Sequence, residues 1–470
     1  MDIINNIITS VNNVMYGYLL LIVFLVVSIF FTFRLRAIQI SHSIHALKLL
    51  LSTHEKGDGV SGFASFCIST ASRVGTGNIT GVMAAVSAGG PGALFWMWLM
   101  AILGGSLAFT ESTLAQLYKE KDSQGKFIGG ASFYIKSKLK KPILAAVFAV
   151  CMIFTYTTFN GMQANTISGA LSKYNISVTI TAVILTVITG LILFSKRRDT
   201  ITHACVFIVP VMAIPYILIG LYIFVANLPS VPSVFQTIFV QAFKPSAFFG
   251  GAIGTTISNG LKRGLFSNEA GMGGAPHAAA AAHSSHPCKQ GLIQMFSVFT
   301  DTILICSISG FILLLSPEAM KAIKDMEGIN LFQYAMESHL GSFGSYFITV
   351  CILFFSYSSI LGNFFYIKTG AFALKDSIVS YIIVGAMTVI MVFAGSLADF
   401  KTIWGAGDMF MGFMALLNII VIVILNKPVY LLTKHYVSKL KYHKDPVFNK
   451  NSIEELSNDD AVTQWNENIQ

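Results

Sequence analysis

Two polar stretches interrupt long apolar runs of this sequence and carry residue types that can bind a small charged ligand. They are RVGTGN at residues 73–78 and RGLFSN at residues 263–268, with the same spacing from arginine to asparagine. Glycine lets a chain leave helical geometry. A helix that breaks at membrane depth exposes N–H groups that favour an anion and carbonyl groups that favour a cation. The two stretches therefore predict a site for a zwitterion, such as an amino acid, next to a site for Na⁺ or H⁺.

One carboxylate and two arginines accompany these breaks. Glu269 follows the second break, and an ionisable residue inside an apolar run is costly enough to indicate function. The alternative is a structural ion pair with Arg73 or Arg263, and the sequence leaves both interpretations of Glu269 open. For the two arginines the structural role is favoured. A glycine-rich face for helix packing is the alternative interpretation of the breaks themselves.

The apolar runs define the class of protein. The chain has 470 residues, 54% hydrophobic and 11% charged, whereas soluble domains carry about 25% charged residues. Runs of about 20 apolar residues can cross a bilayer, so we predict an all-α membrane protein with eleven transmembrane helices. The predicted spans are 14–35, 59–87, 91–117, 142–169, 174–194, 202–226, 248–282, 290–316, 344–371, 377–397 and 404–426.

The two breaks suggest an internal repeat. With the N-terminal span set apart, spans 2–6 and 7–11 form two sets of five, and an odd number of spans per set makes the second set inverted. Each break lies in the first helix of its set, which indicates the binding site of a secondary transporter. The predicted domains are an N-terminal span and cytoplasmic loop (1–58), the first repeat (59–226), an interfacial connection (227–247), the second repeat (248–426) and a cytoplasmic polar tail (427–470), disordered beyond about residue 445.

The basic residues predict the orientation. Most of the 31 lysines and arginines fall in alternate loops and in the C-terminal tail, so the positive-inside rule places the N-terminus outside and the C-terminus in the cytoplasm. The net charge of +9 then reflects topology in the cell membrane, with lipid and not nucleic acid as its partner. The sequence does not predict an oligomeric state.

Several function classes lack support in the sequence. It contains no Gly-rich phosphate loop and no nucleophile–base motif, so neither an ATP-driven pump nor an enzyme is expected. Its six cysteines have neither metal-ligand nor disulfide spacing. The alternatives to an amino-acid symporter are an ion channel, a transporter of another small zwitterion and, less well supported, a membrane enzyme.

The chain resembles the alanine/glycine:cation symporter family from about residue 60 to 425. The similar stretches are SRVGTGNITGV (72–82), GGPGALFWMW (89–98), GGASFYI (129–135), RGLFSNEAGMGGAPHAAAAA (263–282) and HPCKQGL (286–292). The resemblance implies the five-plus-five inverted repeat of the bacterial leucine transporter with two discontinuous helices and an extra N-terminal span. It also implies uptake of a small neutral amino acid with Na⁺ or H⁺ by alternating access.

The resemblance implies substrate-binding roles as well. Backbone N–H groups of the first break are expected to hold the substrate carboxylate. The broken backbone at Phe266 and Ser267, together with Glu269, is expected to receive the ammonium group, and Phe266 to close one wall of the pocket. The full expected set is Thr76, Gly77, Asn78, Gln163, Phe266, Ser267, Glu269 and Asn363.

The resemblance further implies a cation site. It places the backbone carbonyls of Ala71 and Val74 opposite the hydroxyls of Ser358 and Ser359. Hard oxygen ligands of this kind suit Na⁺, which is the expected coupling ion, with H⁺ as the alternative.

The chain departs from the family at one position. Where members of the family have a tryptophan and then an acidic residue, this chain has Asn363 and Lys368. If the tryptophan caps a small pocket, asparagine makes the pocket roomier and more polar. Glutamine, serine and asparagine are then expected substrates besides alanine and glycine.

Overall fold

The computed structural model describes residues 2–52, 59–195, 200–244, 254–442 and 445–465, with side chains from residue 6 onward. The described residues are almost entirely helical. In the first half of the chain the helices are α1 (Asp2–Val14), α2 (Leu20–Arg34), α3 (Ile38–Ser41), α4 (Ser43–Ser52), α5 (Gly62–Arg73), α6 (Val82–Gly89), α7 (Ala93–Leu117), α8 (Ala131–Ser137), α9 (Pro142–Ser172), α10 (Val178–Leu193), α11 (Thr200–Ala226) and α12 (Val231–Ala242).

The second half of the chain is also mainly helical. Its helices are α13 (Thr255–Asn268), α14 (Pro276–Ala281), α15 (Pro287–Val298), α16 (Ser307–Leu314), α17 (Pro317–Ala322), α18 (Gly328–Leu340), α19 (Ser342–Leu374), α20 (Ile378–Leu397), α21 (Phe400–Ile424), α22 (Asn426–Lys441) and α23 (Glu454–Ser457). Shorter elements are the π-helical segments Met15–Leu19, Gly77–Gly81 and Phe299–Cys306, the 3₁₀ turns Leu228–Ser230 and Lys450–Ser452, and the antiparallel strands β1 (Glu120–Lys121) and β2 (Phe127–Ile128).

Local sequence explains where several helices begin. The side chains of Ser61, Ser377 and Asp399 each accept a hydrogen bond from a backbone N–H group three residues later, at the starts of α5, α20 and α21. Such caps satisfy N–H groups that lack a partner inside the helix. Pro142 and Pro287 open α9 and α15, where the missing N–H of proline costs nothing.

Eight helices in the described part of the chain are long and apolar enough to cross a membrane. Three predicted spans are not among these eight. Two of them, 59–87 and 248–282, are interrupted, and the third contains α10, which has 16 residues and is therefore about 24 Å long at 1.5 Å per residue. The count of eleven and the inverted repeat stay predictions. The predicted span 248–282 begins outside the described residues. The predicted domain boundary at 247–248 also lies outside them, and so does residue 58 at the end of the first predicted domain.

Both predicted interruptions are present in the structure, although the second lies later than expected. The first helix stops at Arg73, and Val74 has the non-helical dihedrals φ −79° and ψ 88°. Phe266 and Ser267, predicted to have broken backbone, instead lie in the last turn of α13. The chain leaves helical geometry at Glu269, with φ 53°, and returns to it at α14. Gly271 and Gly273 have φ of 77° and 85°, a region open to glycine, which explains why the break falls there.

The long helix α9 packs against three helices of the second half of the chain, α19, α20 and α21. It meets α20 tightly at Gly161 and Gly395, where a Cβ atom built on Gly395 would lie 2.3 Å from the Cα atom of Gly161. Two glycines at this crossing let the backbones meet directly, as small residues do between membrane helices.

Most of the polar tail is ordered in the part that the structure describes, contrary to the prediction of disorder beyond about residue 445. Residues 445–465, which we call the C-terminal strap, pack onto the helical bundle. Phe448 and Trp465 are fully buried; the Phe448 N–H donates to the Ser285 carbonyl at 2.9 Å and the Trp465 indole N–H donates to the Gln116 carbonyl at 3.0 Å. Phe448 and Trp465 are isolated apolar residues in a polar segment, so the sequence shows no hydrophobic periodicity there. The burial of these two side chains holds the segment against the bundle.

Candidate functional site

The first interruption presents two backbone amides whose partners are side chains. The N–H of Gly75 donates to the amide oxygen of Asn78 at 3.2 Å, and the N–H of Thr76 donates to the amide oxygen of Gln163 at 2.9 Å. The Thr76 hydroxyl also lies 2.6 Å from the Thr166 hydroxyl. All of these side chains are buried. The structure thus brings Gln163 of α9 onto the break that the sequence analysis assigned to the substrate carboxylate.

An aromatic cluster packs on the glycine of the same break. A Cβ atom built on Gly77 would lie 2.9 Å from the ring of Phe266, so this ring rests directly on the backbone. The ring of Phe266 also meets Phe159 edge to face, with centroids 4.7 Å apart, and it lies 5.2 Å from Trp404. These aromatic residues form an apolar wall that joins the end of α13 to the first break.

Glu269 and Asn363 belong to one chain of hydrogen bonds. The hydroxyl of Ser72 lies 3.0 Å from a carboxylate oxygen of Glu269 and 2.6 Å from the amide oxygen of Asn363. The amide nitrogen of Asn363 donates to Asn160 at 2.9 Å. These groups are fully or almost fully buried. Hydrogen bonds therefore connect Glu269, at the second interruption, with Ser72 in the last turn of α5. Through Ser72 they extend to Asn363 of α19 and Asn160 of α9.

Neither arginine is within ion-pair distance of Glu269. Arg263 forms a bidentate pair with Asp408, at 3.1 and 3.0 Å, and its guanidinium lies over the Trp404 ring. Arg73 donates to the Gln294 carbonyl and to the Ser297 hydroxyl. The contact between Arg263 and Asp408 was not predicted from the sequence, because the two residues lie 145 positions apart.

Part of the expected cation site comes together. The hydroxyl of Ser359 lies 3.4 Å from the carbonyl oxygen of Val74, at the end of α5. The hydroxyls of Ser358 and Ser359 also donate to the Phe355 carbonyl within α19, and both serines and Ala71 are fully buried. Buried, uncharged oxygen atoms from the end of α5 and from α19 fit a monovalent hard cation such as Na⁺.

A buried carboxylate that was not predicted from the sequence contacts residues beside both interruptions. Asp301 lies in the π-helical segment between α15 and α16. It accepts hydrogen bonds from the Asn78 amide at 2.7 Å, the Ser267 hydroxyl at 2.5 Å and the Thr302 hydroxyl at 2.8 Å. The rule applied to Glu269, that an acidic residue inside an apolar run indicates function, would have found Asp301 in the predicted span 290–316.

A second carboxylate holds the glycine-rich backbone of the later interruption. Glu111 of α7 accepts hydrogen bonds from the N–H groups of Gly271 and Gly273, at 3.2 and 2.9 Å, and from the Asn418 amide at 2.7 Å. Backbone that leaves a helix at membrane depth needs such partners. Glu111 therefore supplies the acceptor that this broken backbone requires.

Comparison with known proteins gives consistent matches along the chain. The family model described as "Sodium:alanine symporter family" matches residues 1–450. An amino-acid carrier protein, AlsT of Bacillus subtilis, is 41% identical over 97% of this chain and 97% of its own. A probable sodium/glutamine symporter, GlnT of the same organism, is 38% identical over 99% and 96%. A sodium/alanine symporter, AgcS of Methanococcus maripaludis, is 35% identical over 93% and 98%.

Solved structures resemble the fold more distantly. The manganese transporter of Eremococcus coleocola superposes with a TM-score of 0.51 over 79% of this chain and 78% of that one, at 10% sequence identity. At this identity the similarity concerns the fold alone. It places the helical bundle among folds that transporters adopt.

Proposed function

Because this chain belongs to the sodium:alanine symporter family, we propose that it carries a small neutral amino acid into the cell between its two interrupted helices. It is a membrane transporter that couples amino-acid movement to Na⁺, and not an enzyme. The observation that supports the location of the site is that residues next to the two breaks meet: Asn78, just after the first break, and Ser267, just before the second, both contact Asp301.

The substrate carboxylate binds the first interruption in this proposal. The N–H groups of Gly75 and Thr76 now donate to the amide oxygens of Asn78 and Gln163. A carboxylate is a stronger acceptor than a neutral amide and would replace these oxygens, which frees both side chains to contact the substrate. The N–H group of Gly77, where the chain becomes helical again after the first interruption, completes the expected set of donors.

The substrate ammonium binds the second interruption. The last carbonyl groups of α13 lack helical partners beyond Asn268, and the C-terminal end of a helix carries partial negative charge. Phe266 and Ser267 lie in that last turn. Glu269 adds a carboxylate, one oxygen of which has no hydrogen-bond partner among the described residues. Both poles of a zwitterion thus find complementary groups.

The range of substrates follows from the walls of the pocket. Phe159, Phe266 and Trp404 form an apolar wall that limits its size, while Asn363, which donates a hydrogen bond to Asn160, adds a polar group. Alanine and glycine fit the apolar wall, and glutamine or serine can use the polar group. The named relatives include one sodium/alanine symporter and one probable sodium/glutamine symporter, and both substrates belong in the first assay.

The coupling ion in this proposal is Na⁺, bound by the carbonyls of Ala71 and Val74 and by the hydroxyls of Ser358 and Ser359; H⁺ is the alternative. Transport proceeds by alternating access between two inverted five-helix repeats, with the N-terminus outside and the C-terminus in the cytoplasm. The approach of Ser359 to the Val74 carbonyl supports the ion site. The surplus of lysine and arginine in alternate loops supports the orientation.

The test is uptake of radiolabelled alanine and of radiolabelled glutamine into proteoliposomes that contain the purified protein. Saturable uptake driven by an imposed inward Na⁺ gradient is expected; uptake driven only by a pH gradient would replace Na⁺ by H⁺. Asn78→Leu should abolish uptake without preventing membrane insertion, while Asp325→Asn, a change at an exposed residue, should leave uptake unchanged. Absence of amino-acid uptake under either gradient refutes the proposed function.

A further inference from the structure

A pocket rich in positive charge lies at the end of α2 and along α22. Its lining includes Arg34 and Arg36, at and just beyond the end of α2, and Lys434 and Lys441 of α22. The pocket has a volume of about 390 Å³, within the range of roughly 300–1,000 Å³ typical of ligand sites. No aspartate or glutamate is among the described residues that line it. The pocket therefore offers four positive charges to an anion.

Membrane orientation alone does not require these charges to meet. The positive-inside rule asks only that lysine and arginine lie on the same side of the bilayer, whereas here residues from both ends of the chain line one pocket. The ion pairs within the described part of the chain are formed by other lysines and arginines. Like charges repel one another, and a bound anion relieves that repulsion.

The guanidinium group of Arg34 is positioned by an aromatic ring. It lies over the ring of Tyr430 in α22, with its central carbon 4.1 Å from the ring centroid. A guanidinium held over a ring keeps its N–H groups at its edge, where they can donate two parallel hydrogen bonds to a phosphate group. A second contact, 2.8 Å between a ring nitrogen of His45 and the Tyr436 hydroxyl, joins α4 to α22. The pocket thus has a frame built from α2, α4 and α22.

Exposed apolar side chains adjoin the pocket lining in the sequence. Phe33, directly before Arg34, is 80% exposed, and Ile40, directly before Ser41 of the lining, is 61% exposed. Helix α4 continues this surface, because residues three and four apart share a helix face. One face of α4 carries exposed aliphatic side chains and the opposite face buried ones, namely Ile44, Leu47 and Leu51 against Ala46, Leu49 and Leu50. An exposed apolar surface with a charged rim is typical of contact with a membrane.

We propose that this pocket binds the headgroup of an anionic phospholipid. The phosphodiester lies among the four cationic side chains, and the acyl chains follow the exposed apolar surface of Phe33, Ile40 and α4. Basic pockets at the cytoplasmic ends of membrane helices are suited to such headgroups, and the proposed orientation places this end of α2 at the cytoplasmic leaflet. A bound lipid bridges α2 and α22, the helix that leads into the C-terminal strap, and it stabilises the folded protein by linkage.

The lining also determines which lipid binds. A zwitterionic headgroup brings an ammonium group into a pocket that offers it no carboxylate among the described residues, so an anionic lipid is preferred. A soluble phosphate finds the same cations but leaves the apolar surface beside them exposed. Both halves of the site are used only by a molecule that carries a phosphodiester and acyl chains together.

The test counts bound lipid and does not use transport, so its outcome is independent of the proposed function. Purified full-length protein in detergent micelles is freed of lipid and titrated with dioctanoyl phosphatidylglycerol, dioctanoyl phosphatidylethanolamine or soluble glycerol phosphate. Native mass spectrometry counts the bound molecules, and thermal unfolding gives the melting temperature. Phosphatidylglycerol should bind saturably and raise the melting temperature, whereas the other two compounds should not.

Two pairs of substitutions in α22 separate the pocket from a general attraction between charges. Lys434→Gln/Lys441→Gln removes two charges from the lining, while Lys427→Gln/Lys439→Gln removes two exposed charges of the same helix outside it. Each basic residue beside an anionic lipid surface contributes about fivefold to binding. The first pair should therefore weaken phosphatidylglycerol binding about 25-fold, and the second pair should leave it nearly unchanged.

A pair in α2 keeps the inference testable if the first lysine pair does not fold. Arg34→Gln/Arg36→Gln removes the other two charges of the lining and should cause a similar loss of phosphatidylglycerol binding. Equal losses in the lining pairs and in the Lys427/Lys439 pair overturn the pocket and leave only a general attraction of lipid. Equally strong binding of phosphatidylethanolamine or of glycerol phosphate, or no bound phosphatidylglycerol, overturns the proposal as well.

Discussion

The ion pair between Arg263 and Asp408 leads to a quantitative prediction about stability. Asp408 is 1% exposed and receives both guanidinium nitrogens of Arg263 as well as the Lys262 ammonium at 2.5 Å. Asp408→Asn keeps the size of the side chain and removes its charge. Two cations then remain beside a neutral amide at the junction of α13 and α21, and the protein should be strongly destabilised.

The structure sets the size of the effect. Removal of one partner from a buried ion pair costs about 3–5 kcal/mol, because the other charge stays buried without compensation. The Arg263 side chain is 9% exposed and that of Lys262 is 19% exposed, so Lys262 can recover part of its hydration and adds less. Since asparagine still accepts one hydrogen bond, we expect a loss near the lower end, about 3 kcal/mol.

The assay is reversible unfolding in mixed micelles by added SDS, followed by circular dichroism. Asp325→Asn is the control and should stay within about 0.5 kcal/mol of wild type. The double variant Arg263→Met/Asp408→Leu removes both charges of the bidentate pair and should be more stable than Asp408→Asn, since apolar replacement of a whole pair is often neutral. A loss below about 1 kcal/mol for Asp408→Asn, or a double variant less stable than the single one, would refute this reasoning.

Three other predictions concern specificity, pH and packing. Asn363→Trp should narrow the substrate range towards glycine and alanine, and an unchanged profile in competition uptake assays contradicts this. Burial and the neighbouring His435 lower the pKa of His286, whose ring packs on Phe448 of the C-terminal strap. Because the strap packs against the neutral His286 ring, its binding to the bundle should be strongest above about pH 6.5 and should weaken at lower pH. Limited proteolysis of the strap as a function of pH measures this. Gly395→Ala should destabilise the protein by about 1–3 kcal/mol through overpacking, whereas Gly190→Ala, with open space around it, should not; equal melting temperatures for the two variants contradict this.

The apolar runs and the two interruptions could be predicted from sequence because their causes are local. Glycines and polar residues inside an apolar run stop a helix wherever the run folds, and the first helix does stop at Arg73. The second break was placed a few residues early, at Phe266 and Ser267. The N–H groups of Gly271 and Gly273 are held by Glu111 of α7, a contact across 160 residues and more that no local pattern specifies.

Sequence by itself determined the class of protein, most of its long helices and the presence of two interruptions, since hydrophobicity and backbone preference act over a few residues. Only the tertiary structure decided which charges meet. It pairs Arg263 with Asp408, sets Asp301 against Asn78 across 223 positions, and buries Trp465 of a polar tail against α7. A buried charge or ring takes the partner that packing brings within reach, and that partner depends on the path of the whole chain.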